Sequence, residues 1–292
     1  MLIETDPSAY YRHFQPDVNP FISRGFTELN RSKTERVVHL IDDREKPAMG
    51  LVAGVEQGIL KSPFSAPFGG FHFRNQNVYA GRIDSFSESL KQYIASRDLK
   101  GIDLTLPPDI YHQTFNAKVV NSLIRAGFTT PVPDITNWVE LDTFTGDFNQ
   151  KNSREYYRQA LRNGLSFAPT DSRDEMEEIY ELIRMNRAKF NRPIHMTLDE
   201  ILKTGELWPV DFFKVSSPDK SLVASAIFYR PDENIAYAVF WGDSDKGRPL
   251  RAMDFLVFHL WNFYKNEGFR YIDLGISTEQ GVPNEGLLRF KE

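Results

Sequence analysis

The chain has 292 residues, 41% of them apolar and 26% charged, with 35 Lys plus Arg against 40 Asp plus Glu and a formal net charge of −5. This composition supports a sizeable core, favours two domains of about 150 residues, and provides no whole-protein basic field for nucleic acid or anionic lipid, so any anion site must be local. A cysteine count of 0 excludes disulfide frameworks, zinc-thiolate and iron–sulfur ligation, and a thiol nucleophile.

From the start, Met1 to Asp6 shows neither the basic nor the apolar region of a secretory signal. The most apolar stretch, Phe255 to Tyr264, is interrupted by His259 and Asn262 and falls short of the roughly 18 to 20 residues of a membrane span. A soluble cytoplasmic protein is expected. Val37 to Ile41 and Gly50 to Val55 read as strands, Ser87 to Ser96 as a helix, Gly101 to Leu106 as a strand, and Ala117 to Ala126 as a helix capped by Gly127. Asn137 to Leu141 reads as the last strand of the first half. The polar stretch Asp142 to Ser153 marks a boundary, giving domains 1–147 and 148–292.

Beyond it, Arg154 to Asn163 is expected as a helix ended by Gly164. Ser172 with Glu175 three residues on has the pattern of a capping box for a helix that carries Met176, Ile179, Tyr180 and Ile183 on one face. Phe212 to Val215, Leu222 to Tyr229 and Ile235 to Trp241 read as strands. The helix expected from near Pro249 is apolar almost all round, so it should lie between layers.

The two halves repeat. Leu90 to Leu104 and Leu260 to Leu274 share one register, each an amphipathic helix end followed by a strand closing on Ile-Asp-Leu, at Ile102 and Ile272. Gly268 suits a helix C-terminus in the second copy. Upstream, Leu51 to Gly54 matches Leu222 to Ser225, and each is followed by a turn and an apolar run ending at Phe68-Gly69 or Trp241-Gly242. The shared order is strand, turn, strand, helix, strand, so each half is a mixed α/β unit with a mainly antiparallel sheet.

This order resembles the GNAT N-acyltransferase fold. Two such units in tandem resemble the Fem family, aminoacyl-tRNA-dependent transferases that build peptidoglycan cross-bridges, and their broader acyltransferase relatives. Thr136 to Asp142 is similar to the family's strand closing the first unit, and the following helix carries spaced basic residues, Arg154, Arg158 and Arg162, with Ala160 and Gly164. Phe269 to Gly275 resembles the strand after the buried helix. Glu285 to Glu292 is similar to the closing segment, where a Gly-x-x-Arg-Phe-Lys pattern recurs. The resemblance implies tandem GNAT-like domains, transfer to an amine, and no tightly bound cofactor, with acyl-CoA or aminoacyl-tRNA as co-substrate. Asp243 to Ala252 has a single glycine and lacks the pyrophosphate-loop spacing of CoA-dependent relatives. This departure weighs against CoA, and the acidic balance weighs against tRNA. Both donors stay open. Family members commonly continue for several residues past the position of Glu292.

Such chemistry needs an anion site for a phosphate-rich donor, a base for the amine, and donors for the oxyanion. Lys246, Gly247, Arg248 and Arg251 precede a helix that Pro249 is suited to start, placing charge and free N–H groups together. The other reading is a solvated loop pairing with Asp243 and Asp245. Arg154, Arg158 and Arg162 form a stripe that meets phosphate or simply faces solvent. The loop Lys61 to His72 brings Ser65, Phe68 and the paired Gly69 and Gly70 as substrate-binding candidates and His72 as a base, or is a rigid turn. Asp273, at the end of its strand, and Glu279 and Glu285, on the following loop, are carboxylate candidates; Asp103 at the repeated position allows a structural role for Asp273. Tyr237, Tyr271 and Trp241 complete the set, as leaving-group acid and cleft wall or as packing.

The expected function is an N-acyltransferase moving an acyl or aminoacyl group directly onto an amine of a small molecule or peptidoglycan precursor, without metal. Its cleft is expected beside the second unit, between the Ser62 to His72 loop, the Lys246 to Arg251 loop and Asp273. The contrasting expectation is a binding module that keeps the duplicated fold without the chemistry.

Overall fold

The computed structural model describes residues 1–14, 19–75, 77–112, 114–148 and 150–291. Asn149 of the polar stretch and Glu292 of the closing segment lie outside them. The chain divides into two compact units, Met1–Val132 and Pro133–Glu292.

The first unit runs β1 (Leu2–Glu4), α1 (Pro7–His13), α2 (Arg24–Leu29), β2 (Arg36–Asp42), β3 (Met49–Glu56), β4 (Ile59–Ser62), β5 (Phe71–Phe73), α3 (Ala80–Ser96), β6 (Gly101–Leu104) and α4 (Asn116–Arg125). Its sheet order is β1-β2-β3-β4-β6, with β5 also on β3. All pairings are antiparallel except β4 with β6, where Leu60 faces Ile102. Ile83, Phe86 and Leu90 of α3 and Val119 and Leu123 of α4 pack on Val38, Leu40, Leu51 and Leu60 of the sheet. Phe68 and Gly69 do not end a strand as expected. β4 stops at Ser62, and Phe68 seats its ring edge-on against Phe21 at 4.9 Å.

The second unit runs β7 (Thr136–Glu140), α5 (Lys151–Arg162), β8 (Ser166–Thr170), α6 (Arg173–Lys189), α7 (Leu198–Thr204), β9 (Val210–Ser216), β10 (Leu222–Tyr229), β11 (Ile235–Asp243), α8 (Ala252–Asn266), β12 (Tyr271–Ile276), β13 (Thr278–Glu279), β14 (Val282–Pro283) and α9 (Glu285–Lys291). Its sheet order is β7-β12-β11-β10-β9-β8. β10 is an unbroken apolar run because both faces are covered, by Ile179 and Ile183 of α6 on one side and by the apolar α8 on the other. Leu256, Leu260 and Ile272 are fully buried, each worth about 1.5 to 3 kcal/mol of apolar burial. Each unit therefore contains an antiparallel hairpin, a helix, and a return strand parallel to the hairpin's second strand: β3-β4-α3-β6 and β10-β11-α8-β12.

Two sequence expectations need correction. Thr136–Glu140 does not close the first sheet; it pairs antiparallel with β12, Trp138 facing Asp273 and Glu140 facing Tyr271. The compact units accordingly divide at 132/133, ahead of the 147/148 join. Ser172 is the N-cap of α6 but makes no side-chain cap bond, because Glu175 is drawn across to Lys214. The capping box forms instead at α7, where the Glu200 N–H donates to Thr197 Oγ1 at 3.2 Å and the Thr197 N–H to Glu200 Oε2 at 2.8 Å. Positive φ at Gly127, Gly164 and Gly268, of 90°, 66° and 88°, ends α4, α5 and α8 as expected. Among the described residues no helix is long and apolar enough to cross a membrane.

Candidate active site at the parting of two strands

The distinctive feature of the second unit lies between β11 and β12. Parallel strands normally keep an evenly spaced ladder, yet these two pair only at Ile235 with Tyr271, Ala236 with Ile272 and Tyr237 with Asp273. Beyond that rung β11 continues to Asp243 and β12 to Ile276 as separate strands. Backbone groups released from a ladder require another partner. β12 finds one in Lys291, whose Nζ donates to the carbonyls of Leu274, Gly275 and Ile276 at 2.6, 3.1 and 2.8 Å.

Local sequence explains this arrangement. Gly275 has φ 67°, a left-handed conformation that favours glycine, and its N–H donates to Asp273 Oδ1 at 2.8 Å. The resulting kink interrupts the register with β7 between Asp273 and Ile276 and turns the three carbonyls toward α9. Phe290 fixes α9 by meeting Trp241 edge-on at 5.8 Å, and Trp241 in turn stacks on Trp261 of α8 at 6.3 Å.

Burial brings the Lys291 ammonium down to about 8, with the charge of Asp273 opposing that shift. Asp273 is 1% exposed. Burial, then the Asp273 charge, pushes the Tyr237 hydroxyl well above its ordinary range, so Tyr237 remains a protonated donor. The parting thus gathers a buried carboxylate, a phenol and an ammonium that titrates near neutral pH.

Asp273, Tyr237 and Trp241, expected as site residues, all belong to this region. Tyr271 is turned toward Glu140, at 3.5 Å. Glu279 is ion-paired to Arg192 at 2.5 Å, and Glu285 lies 3.9 Å from Arg289; both are exposed. Lys291 was not among the expected catalytic groups. Its signal was the Gly-x-x-Arg-Phe-Lys pattern, but the carbonyls it holds are brought to it only by the fold.

The Lys246 to Arg251 loop is folded on itself. The N–H groups of Gly247, Arg248, Arg251 and Ala252 donate to Ser244, Ser244, Arg248 and Gly247 carbonyls at 2.9, 3.3, 3.1 and 3.1 Å. Gly247 is required there, since a Cβ would lie 2.2 Å from the Val223 carbonyl oxygen. The cations diverge. Arg248 stacks on Phe190 at 5.4 Å and lies 3.9 Å from Asp243, Arg251 covers Tyr156 at 3.7 Å, and Lys246 is exposed. On α5, Arg154 and Arg162 lie 3.7 and 2.9 Å from Asp147 and Glu155.

The Ser62 to His72 segment belongs to the first unit and is packed inward. His72 is buried, shares a 2.8 Å hydrogen bond with Tyr10 Oη, and has its pKa lowered to about 3 by burial. This is a packing imidazole rather than the expected base. Ser65 donates to Asn30 Oδ1 at 3.2 Å. The Gly69 N–H donates to the Thr105 carbonyl at 2.9 Å, and the Gly70 N–H donates to Ser62 Oγ at 3.2 Å.

No family model and no curated protein sequence matches the chain. Solved structures do. FemX aligns over 100% of this chain and 93% of its own, at TM-score 0.63 and 10% identity. The C-terminal DUF2156 domain of a putative lysylphosphatidylglycerol synthetase from Agrobacterium fabrum covers 98% of this chain, with 83% of its own aligned, at TM-score 0.57 and 14% identity. A GCN5-related glucosamine N-acetyltransferase region of a fungal multi-domain GH3 β-N-acetylglucosaminidase covers all of this chain (100%) with 36% of its own, at TM-score 0.53 and 12% identity.

Proposed function

Because the chain carries the tandem GNAT fold seen in FemX, we propose that it is an N-acyltransferase. It moves an acyl or aminoacyl group from acyl-CoA or aminoacyl-tRNA directly to an amine, on a small molecule or a peptidoglycan precursor. The observation that carries this reading is the parting of β11 and β12 immediately after the Tyr237–Asp273 rung, with Lys291 poised on the freed end of β12. The names of the neighbours, a lysylphosphatidylglycerol synthetase and a glucosamine N-acetyltransferase, support transfer to a hydroxyl or amine acceptor and leave the two donor classes side by side. Both donors are cytoplasmic, and we place the reaction there.

In this mechanism the donor carbonyl lies in the gap between the strands. The neutral amine attacks the carbonyl carbon, and the bond to the thiolate or ribose oxygen breaks as the new amide bond forms. The amine surrenders its proton to the Asp273 carboxylate. The Lys291 ammonium, close to its pKa near 8, stabilises the developing oxyanion and protonates the leaving group. Tyr237 holds Asp273 in place across the rung and supplies a donor that never ionises in the working range.

The test is turnover by the full chain with acetyl-CoA or aminoacyl-tRNA and a panel of amines, comparing wild type with Lys291→Met and Asp273→Asn. General acid or base loss costs about 10²- to 10⁴-fold in rate. Turnover that survives both substitutions refutes the assignment.

A further inference from the structure

Arg187, on α6, differs from the other half-buried cations of the second unit. Arg230 is held by Asp211 at 2.5 and 2.7 Å, Lys214 by Glu175, and Lys291 by three carbonyls. Arg187 is seated just as firmly. Its guanidinium covers the Phe240 ring at 5.4 Å, and its Nε donates to the Arg192 carbonyl at 3.2 Å. Yet among the described residues no carboxylate pairs with it, and its two Nη groups make no hydrogen bond while staying open to solvent. Burial, then the neighbouring charge of Arg192, lowers its pKa, so the desolvation of this cation is uncompensated. Arg192 adds no free counter-charge because Glu279 already pairs with it at 2.5 Å.

Its position gives this a meaning. Phe240 lies on β11 beyond the last rung shared with β12, and the electrostatic reach of Arg187 includes Tyr237. A planar guanidinium with Nε tied down presents its paired Nη groups end-on, a geometry that matches two oxygens of one anion. We infer that Arg187 anchors an anionic group, a carboxylate or a phosphate, of the molecule bound where β11 and β12 part. This rests on the transfer reading for the identity of the site, and it narrows the substrate class to molecules carrying such a group close to the reacting amine or acyl carbon.

Calorimetric titration of the full chain with inorganic pyrophosphate and, separately, with succinate distinguishes the two sources of charge. One of them binds the wild type, Arg187→Gln weakens that binding about ten- to hundredfold, and Arg187→Lys, which keeps the charge without the fork, recovers only part of it. Wild-type melting behaviour in the Lys variant guards against a folding artefact. Absence of binding by both probes to the wild type, or equal binding by Arg187→Gln, overturns the anchor. Turnover separates this from the parent reading. Intact Arg187-dependent binding with no transfer keeps the anchor and removes the acyltransferase. Lys291-dependent transfer in which Arg187→Gln leaves KM unchanged for acceptors with and without a carboxylate keeps the enzyme and removes the anchor.

Discussion

Tyr237 and Asp273 face each other on the last parallel rung between β11 and β12, and past this pair the two strands separate. Everything assigned to the site follows from that rung: a buried carboxylate held by the Gly275 N–H, a phenol that stays protonated, and a lysine drawn onto the carbonyls that the separation releases.

Lys291 gives the site its pH dependence. As the protonated acid it is competent below its pKa near 8, so kcat falls as pH rises through 8. Stability runs the other way. The folded pKa lies below the ordinary 10.5, so between those values the unfolded chain binds more protons, and stability increases with pH across that window. Lys291→Met abolishes both slopes. Melting temperatures from pH 7.5 to 10.5 and a pH–rate profile measure them, and a wild-type melting curve as flat as that of the variant refutes the depressed pKa.

Gly247→Ala places a methyl against the Val223 carbonyl oxygen, a backbone atom 2.2 Å from the ideal Cβ position. The loop has to shift, at a cost of about 1 to 3 kcal/mol. Chemical denaturation should show a lower midpoint at unchanged slope. Wild-type stability would mean the loop is not closed on β10 as described.

The two cap sequences respond differently. Thr197→Ala removes the capping box of α7 and costs about 1 kcal/mol. Ser172→Ala loses no side-chain cap bond and changes stability by under about 0.5 kcal/mol. Paired urea titrations decide, and equal losses would contradict the reading of both helix ends.

What was legible in the sequence follows from the range of the interactions involved. The apolar run Leu222 to Tyr229, the glycines at 127, 164 and 268 and the all-round apolar α8 are local signals, and each corresponds to an observed element or helix end. The spacing of Ile102 and Ile272 also carried through, since each lies on the strand that returns parallel to its hairpin. Partner choice was not legible. Nothing in Thr136–Glu140 states that it pairs with β12, and nothing in Glu175 or Glu279 states that Lys214 and Arg192 claim them. His72 looked like a base because Tyr10, its hydrogen-bond partner, is 62 residues away. Lys291 stood within a recognised pattern, but its three carbonyl partners exist as a cradle only after Gly275 turns the strand.

The most direct measurement is product stoichiometry from the full chain with a radiolabelled acyl donor and an amine. Direct transfer predicts one amide formed per donor consumed, no labelled protein on denaturing gels, and loss of product in Lys291→Met at unchanged melting temperature. Label retained covalently on the chain, or full turnover by Lys291→Met, contradicts transfer at the parting of β11 and β12.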